Sequence, residues 1–397
     1  MPRRLTASRK KKEPARVPRR RALDQWVRPT RAEIDLSALK ANLAQVRALA
    51  GKADVLAVIK ANAYGHGAVP VAKAIEHEVR MLGVALVEEG VELRHAGVKA
   101  PTLVLGGAYE RGYELLVKHD LIPTVFRLEH LTGLQKAAAA ARRKVKAHLK
   151  VDTGMSRLGV RLEELPAFLD RARACRHVQL DGLLSHLANA DVEGAPLAKE
   201  QLKGFLRAHE AMRAHGFTPT FRHLANSAGL LQLPPALHPP LNLLRPGMLL
   251  YGYAPAGWLN GRAKLRPVLA WKTGITHLKE VPAGTSVSYG STWTANRPSR
   301  IATLPVGYAD GYGREYSNRA QVLVRGLRAP VVGRVSMDLT MIDVTGVPGV
   351  SLGDEVVLLG AQGSDRITAE ELAALGGTVH WEVLCAVGAR VPRVVVR

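Results

Sequence analysis

Ala57-Val58-Ile59-Lys60-Ala61-Asn62-Ala63-Tyr64-Gly65-His66-Gly67 is an apolar run that stops at a lysine and gives way to a turn of small residues. Val55 to Ile59 are branched or apolar throughout, the pattern of a strand buried on both faces, so Lys60 stands where that strand leaves the core. Two readings of the lysine compete. It can snorkel at a strand end as a solvated cation, or it can be an amine whose ammonium form is disfavoured by burial, as a nucleophile or base requires.

Upstream, Leu36, Leu39, Leu43, Val46 and Leu49 recur at helical spacing behind Asp35, which is suited to cap the first turn. Downstream, strands are expected near 82–86, 102–105, 122–126, 145–151, 178–185, 221–224 and 241–244, with helices over 88–95, 110–118, 128–141, 162–173, 197–214 and 227–232. With 55–59 these make eight strands. Such alternation fits a closed (β/α)8 barrel, and an open doubly wound sheet shows similar periodicity. The polar residues favour the barrel. Lys60, Lys150 with Asp152, His186, Asn226 with Ser227, and Arg245 each end or directly follow a strand, and a barrel collects its chemistry at the carboxyl ends of its strands.

After about residue 265 the pattern changes to short β-rich runs at 268–278, 286–289, 300–305, 320–324, 329–335, 339–344 and 355–359, separated by Gly, Pro and Asp turns. One helix, from Thr368 to Leu375, carries Glu371 where a capping box needs it. The expected organisation is α/β: a basic, disordered tail over 1–27, a TIM-like barrel over 28–265, and a mainly β domain over 266–397.

The formal charge of +22 is unevenly spread: residues 1–32 hold twelve Lys/Arg against Glu13 and Asp24, a net of +10, leaving +12 for the rest. Arg9-Lys10-Lys11-Lys12 and Arg19-Arg20-Arg21, broken by prolines, have no helix or strand periodicity. Such a tail can hold polyanions electrostatically, but no nucleic-acid recognition motif accompanies it, so no nucleic-acid function is read from the charge. Cys175 and Cys385 lie far apart and form neither a disulfide framework nor a metal-ligand pattern. No stretch approaches the ~18–20 apolar residues of a membrane span, and the N-terminus lacks the apolar core of a signal peptide. A cytoplasmic enzyme without a membrane partner is expected.

Further motifs follow in order: Lys150-Val151-Asp152-Thr153-Gly154-Met155-Ser156-Arg157-Leu158-Gly159, Leu184-Ser185-His186-Leu187-Ala188, Ala225-Asn226-Ser227-Ala228 and Arg245-Pro246-Gly247-Met248-Leu249-Leu250-Tyr251-Gly252. The β domain adds Val287-Ser288-Tyr289-Gly290, Gly307-Tyr308-Ala309-Asp310-Gly311 and Gly333-Arg334-Val335-Ser336-Met337-Asp338. Each is short; together with the Lys60 stretch, and in this order, they resemble the alanine racemase family from about Arg28 to Arg397.

The resemblance implies a pyridoxal 5′-phosphate-dependent isomerase that interconverts L- and D-alanine, supplies D-alanine for peptidoglycan, and works as a homodimer with shared active sites. A broad-specificity amino-acid racemase acting on serine, lysine or others is the alternative, because its catalytic groups would be the same. In the family's pattern Lys60 carries the cofactor and is one of two proton-transfer bases, and Tyr289 is the other. A free phenol, with a pKa of about 10, is a poor base at neutral pH, so such a tyrosine must be tuned by neighbours, among them His186 and Arg245. Arg245 stands where many pyridoxal enzymes put a carboxylate; an arginine cannot accept the ring-nitrogen proton, which argues against a decarboxylase. Tyr64, Ser227 and the amides of Gly247 and Met248 match the phosphate contacts. Arg157 and the main chain of Met337 match the substrate-carboxylate contacts. Lys150 occupies the position of a lysine that many members carbamylate. The chain departs from the family at Trp381, where many members have a tyrosine near the phosphate, and at Ser336, a cysteine in some relatives.

Overall fold

The computed structural model describes residues 27–396, so the basic tail expected over 1–27 lies, but for Val27, outside the described residues. The chain begins with strand β1 (Arg31–Ile34) and the helix Leu36–Ala50, whose first turn is capped by Asp35 accepting the amide of Ala38 at 2.9 Å. Leu39, Leu43 and Val46 form its buried stripe.

The barrel follows: β2 (Asp54–Val58), β3 (Met81–Val84), β4 (Thr102–Val104), β5 (Ile122–Val125), β6 (Val145–Asp152) with a short β7 (Val160–Arg161) at its side, β8 (Val178–Leu184), β9 (Phe221–His223) and β10 (Leu243–Leu244). Their order is β10-β2-β3-β4-β5-β6-β8-β9, every pair parallel. Across the remaining seam the amide of Asn242 donates to Arg222 O and that of Arg245 to Ala225 O, each at 3.0 Å, so eight strands make a nearly closed barrel. Both faces of β2 are buried for different reasons. Leu56 and Val58 point into the barrel with Met81, Leu103, Phe221 and Leu243, whereas Val55 and Ala57, with Ile59 just beyond, pack against the surrounding shell.

Two expectations change here. A helix, Ala68–Ile75, stands between the first two barrel strands; its Pro70 lies in the first turn, where the missing N–H costs nothing. The strand expected over 241–244 shrinks to two residues, because the Asn242 side chain instead accepts the amide of Arg222 and donates to Thr220 O.

The second domain contains β11 (Leu269–Gly274), β12 (His277–Val281), β13 (Ser286–Val287), β14 (Trp293–Thr294), β15 (Ser299–Leu304), β16 (Gln321–Val324), β17 (Leu327–Pro330), β18 (Thr340–Asp343), β19 (Glu355–Gln362), β20 (Asp365–Ile367) and β21 (Arg393–Val395). The run at 268–278 divides at Ile275–Thr276, sending β11 into a sheet ordered β17-β16-β19-β11-β1-β21 and β12 into one with β15 and β18. β1 thus belongs to this sheet, antiparallel to β11 and parallel to β21, and ties the start of the chain to its end. The helix Ala369–Gly376 has the expected cap, Thr368 Oγ1 accepting the Glu371 amide at 3.0 Å. A further helix, His380–Ala386, was not foreshadowed by periodicity because it is only two turns long. Among the described residues no helix is long and apolar enough to cross a membrane.

Candidate active site

A cavity of about 630 Å³ opens at the carboxyl ends of the barrel strands, lined by Lys60, Tyr64, Lys150, Arg157, His186, Ser227, Arg245, Gly247, Met248 and Trp381 among others. Its size suits a small organic ligand.

Lys60 enters the cavity from the start of an unusual turn. Ala61, Asn62, Ala63 and Tyr64 all have φ between 52° and 54°, a left-handed conformation that costs a non-glycine residue roughly 1–2 kcal/mol. Side chains from outside the turn and one of its own hold it. Glu89 Oε1 accepts the Ala61 amide at 2.6 Å while Oε2 accepts those of Ala85 and Leu86, and Asn62 Oδ1 accepts the Ala68 amide at 2.7 Å. Arg393 donates to Gly65 O at 2.8 Å from β21, and a Cβ on Gly65 would collide with Leu384 O. The second domain therefore braces the turn that carries the lysine. Burial, reinforced by the nearby Arg157 charge, holds the Lys60 amine below the usual lysine range.

The same turn sets Tyr64 against Gly247. A Cβ there would stand 2.8 Å from the Tyr64 hydroxyl oxygen, so only glycine lets the backbone approach, and its amide donates to Ser227 Oγ at 2.9 Å.

Arg245 is buried, and all its partners accept. Nη1 bonds His223 Nδ1 and O; Nη2 bonds Ser185 O at 2.6 Å, Leu224 O at 3.0 Å and His186 Nδ1 at 3.2 Å. Burial brings its pKa down to about 9, still cationic at neutral pH. Burial, and then the Arg245 charge, holds His186 well below the ordinary histidine range, so it is neutral.

Lys150, near the end of β6, is buried and pairs with no carboxylate among the described residues; burial and then Arg245 lower it to about 8. Arg157 comes from the loop between β6 and β7, which Asp152 shapes by accepting the amides of Gly154, Met155 and Ser156 at 2.9, 3.0 and 3.2 Å. Lys60, Lys150, Arg157 and Arg245 thus face one cavity with a single lining carboxylate, Asp191. That charge balance calls for a ligand with several negative charges.

Residues 34–255 match the model of the alanine racemase N-terminal domain, and residues 268–395 match that of the alanine racemase C-terminal domain. The chain belongs to the alanine racemase family. It is 46% identical to an alanine racemase of Halothermothrix orenii, over 92% of this chain and 96% of that one, and 45% identical to one of Sorangium cellulosum, over 92% and 99%. Among solved structures it resembles an alanine racemase of Clostridium difficile 630, with a TM-score of 0.88, 35% identity, and coverage of 93% and 96%.

The family's C-terminal model spans Tyr289 and Met337, the two predicted site residues that do not line the cavity. Both are exposed, at 73% and 53%, on adjoining turns of the second domain. Ser288, at φ 68°, donates to Arg334 O at 2.6 Å, and a Cβ on Gly333 would meet Ser288, so the two turns lock together.

Four contributors to this racemase-family site were not singled out from sequence. Cys385 lines the cavity, Glu89 holds the Lys60 turn, and His148 and His223 stand behind Arg245. The histidines gave little signal, since both stand in strands that carry other polar residues, Lys146, Lys150 and Asp152 in β6 and Arg222 in β9. Glu89 had none, since an acid in the first turn of a helix is ordinary.

Proposed function

We propose that this chain is an alanine racemase, interconverting L- and D-alanine with pyridoxal 5′-phosphate in the Lys60 cavity, as one half of a homodimer. The reading rests above all on the meeting of Lys60, Lys150, Arg157 and Arg245 around one cavity beside the close approach of Tyr64, Ser227 and Gly247, in a chain of the alanine racemase family. A dianionic phosphate and a substrate carboxylate fit that donor set.

Attached through Lys60, pyridoxal phosphate supplies the electron withdrawal that loosens the α-hydrogen of a bound amino acid. Tyr64, Ser227 and the Met248 amide would hold the phosphate, together with the Gly247 amide once it turns from Ser227 Oγ, and His186 and Trp381 would wall the cofactor. Arg245 would face the pyridine nitrogen; a guanidinium that only donates cannot accept from a protonated ring nitrogen, so that nitrogen would stay neutral and the cofactor's electron withdrawal moderate. Arg157 binds the alanine carboxylate together with the main chain of the partner's Met337. Lys60 Nζ and the hydroxyl of the partner subunit's Tyr289 remove and return the Cα proton from opposite faces, which inverts the centre. The exposure of Tyr289 and Met337 supports this division between two chains. Lys150, with a pKa of about 8, is partly neutral at neutral pH and so able to take up CO2 as a carbamate, which replaces a repelling cation near Arg157 by an anion. The enzyme acts in the cytoplasm, where D-alanine is made for peptidoglycan.

A mixture of Lys60→Ala and Tyr289→Phe chains tests the reading. Each homodimer is inactive, and the heterodimer recovers activity through one intact composite site. Heterodimers shown to form but inactive refute the shared site. For the activity itself, a cofactor-loaded enzyme that does not exchange L- and D-alanine, or prefers serine or lysine in a substrate panel, refutes the assignment.

A further inference from the structure

The barrel has a second cavity, of about 440 Å³, at the amino ends of its strands. Its floor is apolar: Met81, Ile122, Val145 and Phe221 open β3, β5, β6 and β9. Its lining carries six cations against two carboxylates, Asp120 and Asp181. Three cations are matched: Lys146 lies 3.2 Å from Asp181, Arg143 2.8 Å from Asp120, and Arg80 3.8 Å from Asp54. The other three, Arg94, Lys99 and Lys144, pair with no carboxylate among the described residues. Arg94 is half-buried and spends its guanidinium on the carbonyls of Val98, His119 and Asp120 and the hydroxyl of Thr102. Those bonds fix the side chain, and Asp120 and Glu76 act on its charge without forming an ion pair with it. Pairing accounts for half of the rim; the remaining positive charge stands over an apolar floor, the combination that an anion with an apolar body requires.

We propose that this cavity is a second ligand site, for a small organic anion carrying a carboxylate, phosphate or sulfonate on an apolar body. It opens at the end of the barrel opposite Lys60, so its occupation does not compete with amino-acid binding.

Fluorescence titration of the cofactor-loaded enzyme with 8-anilinonaphthalene-1-sulfonate, an anion on apolar rings, tests the proposal. The expected result is one saturable site, unaffected by saturating alanine, and displaced by octanoate at far lower concentration than by inorganic phosphate. The double variant Lys99→Glu, Lys144→Glu should bind the probe roughly tenfold more weakly or worse at fixed salt, since two rim charges are reversed. Both lysines are exposed, so the core is untouched. Equal affinity in the variant, displacement of the probe by alanine, or displacement by phosphate as effective as by octanoate overturns the proposal.

Discussion

Arg245 and His223 are bonded twice through one nitrogen: Nη1 donates to His223 Nδ1 at 3.0 Å and to its carbonyl oxygen at 2.8 Å. An arginine only donates, so His223 carries its proton on Nε2. That nitrogen lies 2.8 Å from His148 Nδ1, which must accept; the His148 proton is then on Nε2, which is buried without a partner among the described residues. The tautomers of two histidines are therefore dictated from the arginine at the cavity.

Cutting this chain should weaken the fold. His223→Leu leaves the His148 imidazole with no partner and removes one acceptor from a buried cation, a loss of about 1–3 kcal/mol. His223→Gln, which keeps an acceptor and a donor, should recover part of it. Urea unfolding of the three proteins decides, and a leucine variant as stable as the wild type sinks the idea.

Buried histidines also predict acid sensitivity. Burial lowers His66 to about 4, His130 to about 4 and His148 to about 3, against about 6.5 unfolded. A base with a depressed folded pKa stays neutral in the native state while the unfolded chain takes up protons. Stability is thus fully present above pH 6.5 and lost as pH falls from 6.5 through about 4 for His66 and His130 and about 3 for His148. Imidazole NMR titration should show these three rings unprotonated at pH 5.5, and rings charged by then would remove this source of the loss.

Glu89 offers a test of the lysine's support. It accepts three backbone amides, one of them at the start of the left-handed turn. Glu89→Ala should cost roughly 1.5–3 kcal/mol and reduce racemisation more than unfolding alone explains, because the Lys60 turn loses its brace. Activity measured well below the melting temperature separates the two effects. Full activity there means that the turn is held by other contacts.

At Gly247 the prediction concerns the cofactor. In Gly247→Ala the new methyl meets the Tyr64 hydroxyl, and shifting either group costs on the order of 1–3 kcal/mol. Pyridoxal phosphate should bind about tenfold more weakly or worse, with the circular dichroism spectrum unchanged. Wild-type affinity would mean that the phosphate does not use this approach.

Local patterns reveal much of the molecule because local forces shape it. The barrel strands and the Asp35 and Thr368 caps follow from the period of apolar residues and from capping side chains, and Lys60, Lys150, His186, Ser227 and Arg245 from polar residues at strand ends; Tyr64, Arg157, Gly247, Met248 and Trp381 are legible only through the resemblance to the alanine racemase family. Such signals fail where partners are distant in the chain. β1 alternates polar and apolar residues, but over only four positions, too few to mark a strand until pairing with β11 and β21 makes it one. The run at 268–278 gives no sign that it serves two sheets.

The sequence by itself determined the two kinds of architecture and the polar residues that end the barrel strands, since apolar period and residue type carry that information directly; the rest of the groups around Lys60 came through ordered motifs that resemble those of a family. Only the tertiary structure decided how Lys60 is held. Four consecutive residues adopt a left-handed turn, and it persists because Glu89 and Arg393 bond it from two distant parts of the chain while its own Asn62 accepts the Ala68 amide. Tyr289 and Met337, which the family resemblance assigns to the Lys60 site of a second chain, stand exposed and outside the cavity lining, because where such a side chain faces depends on the packing of its whole domain.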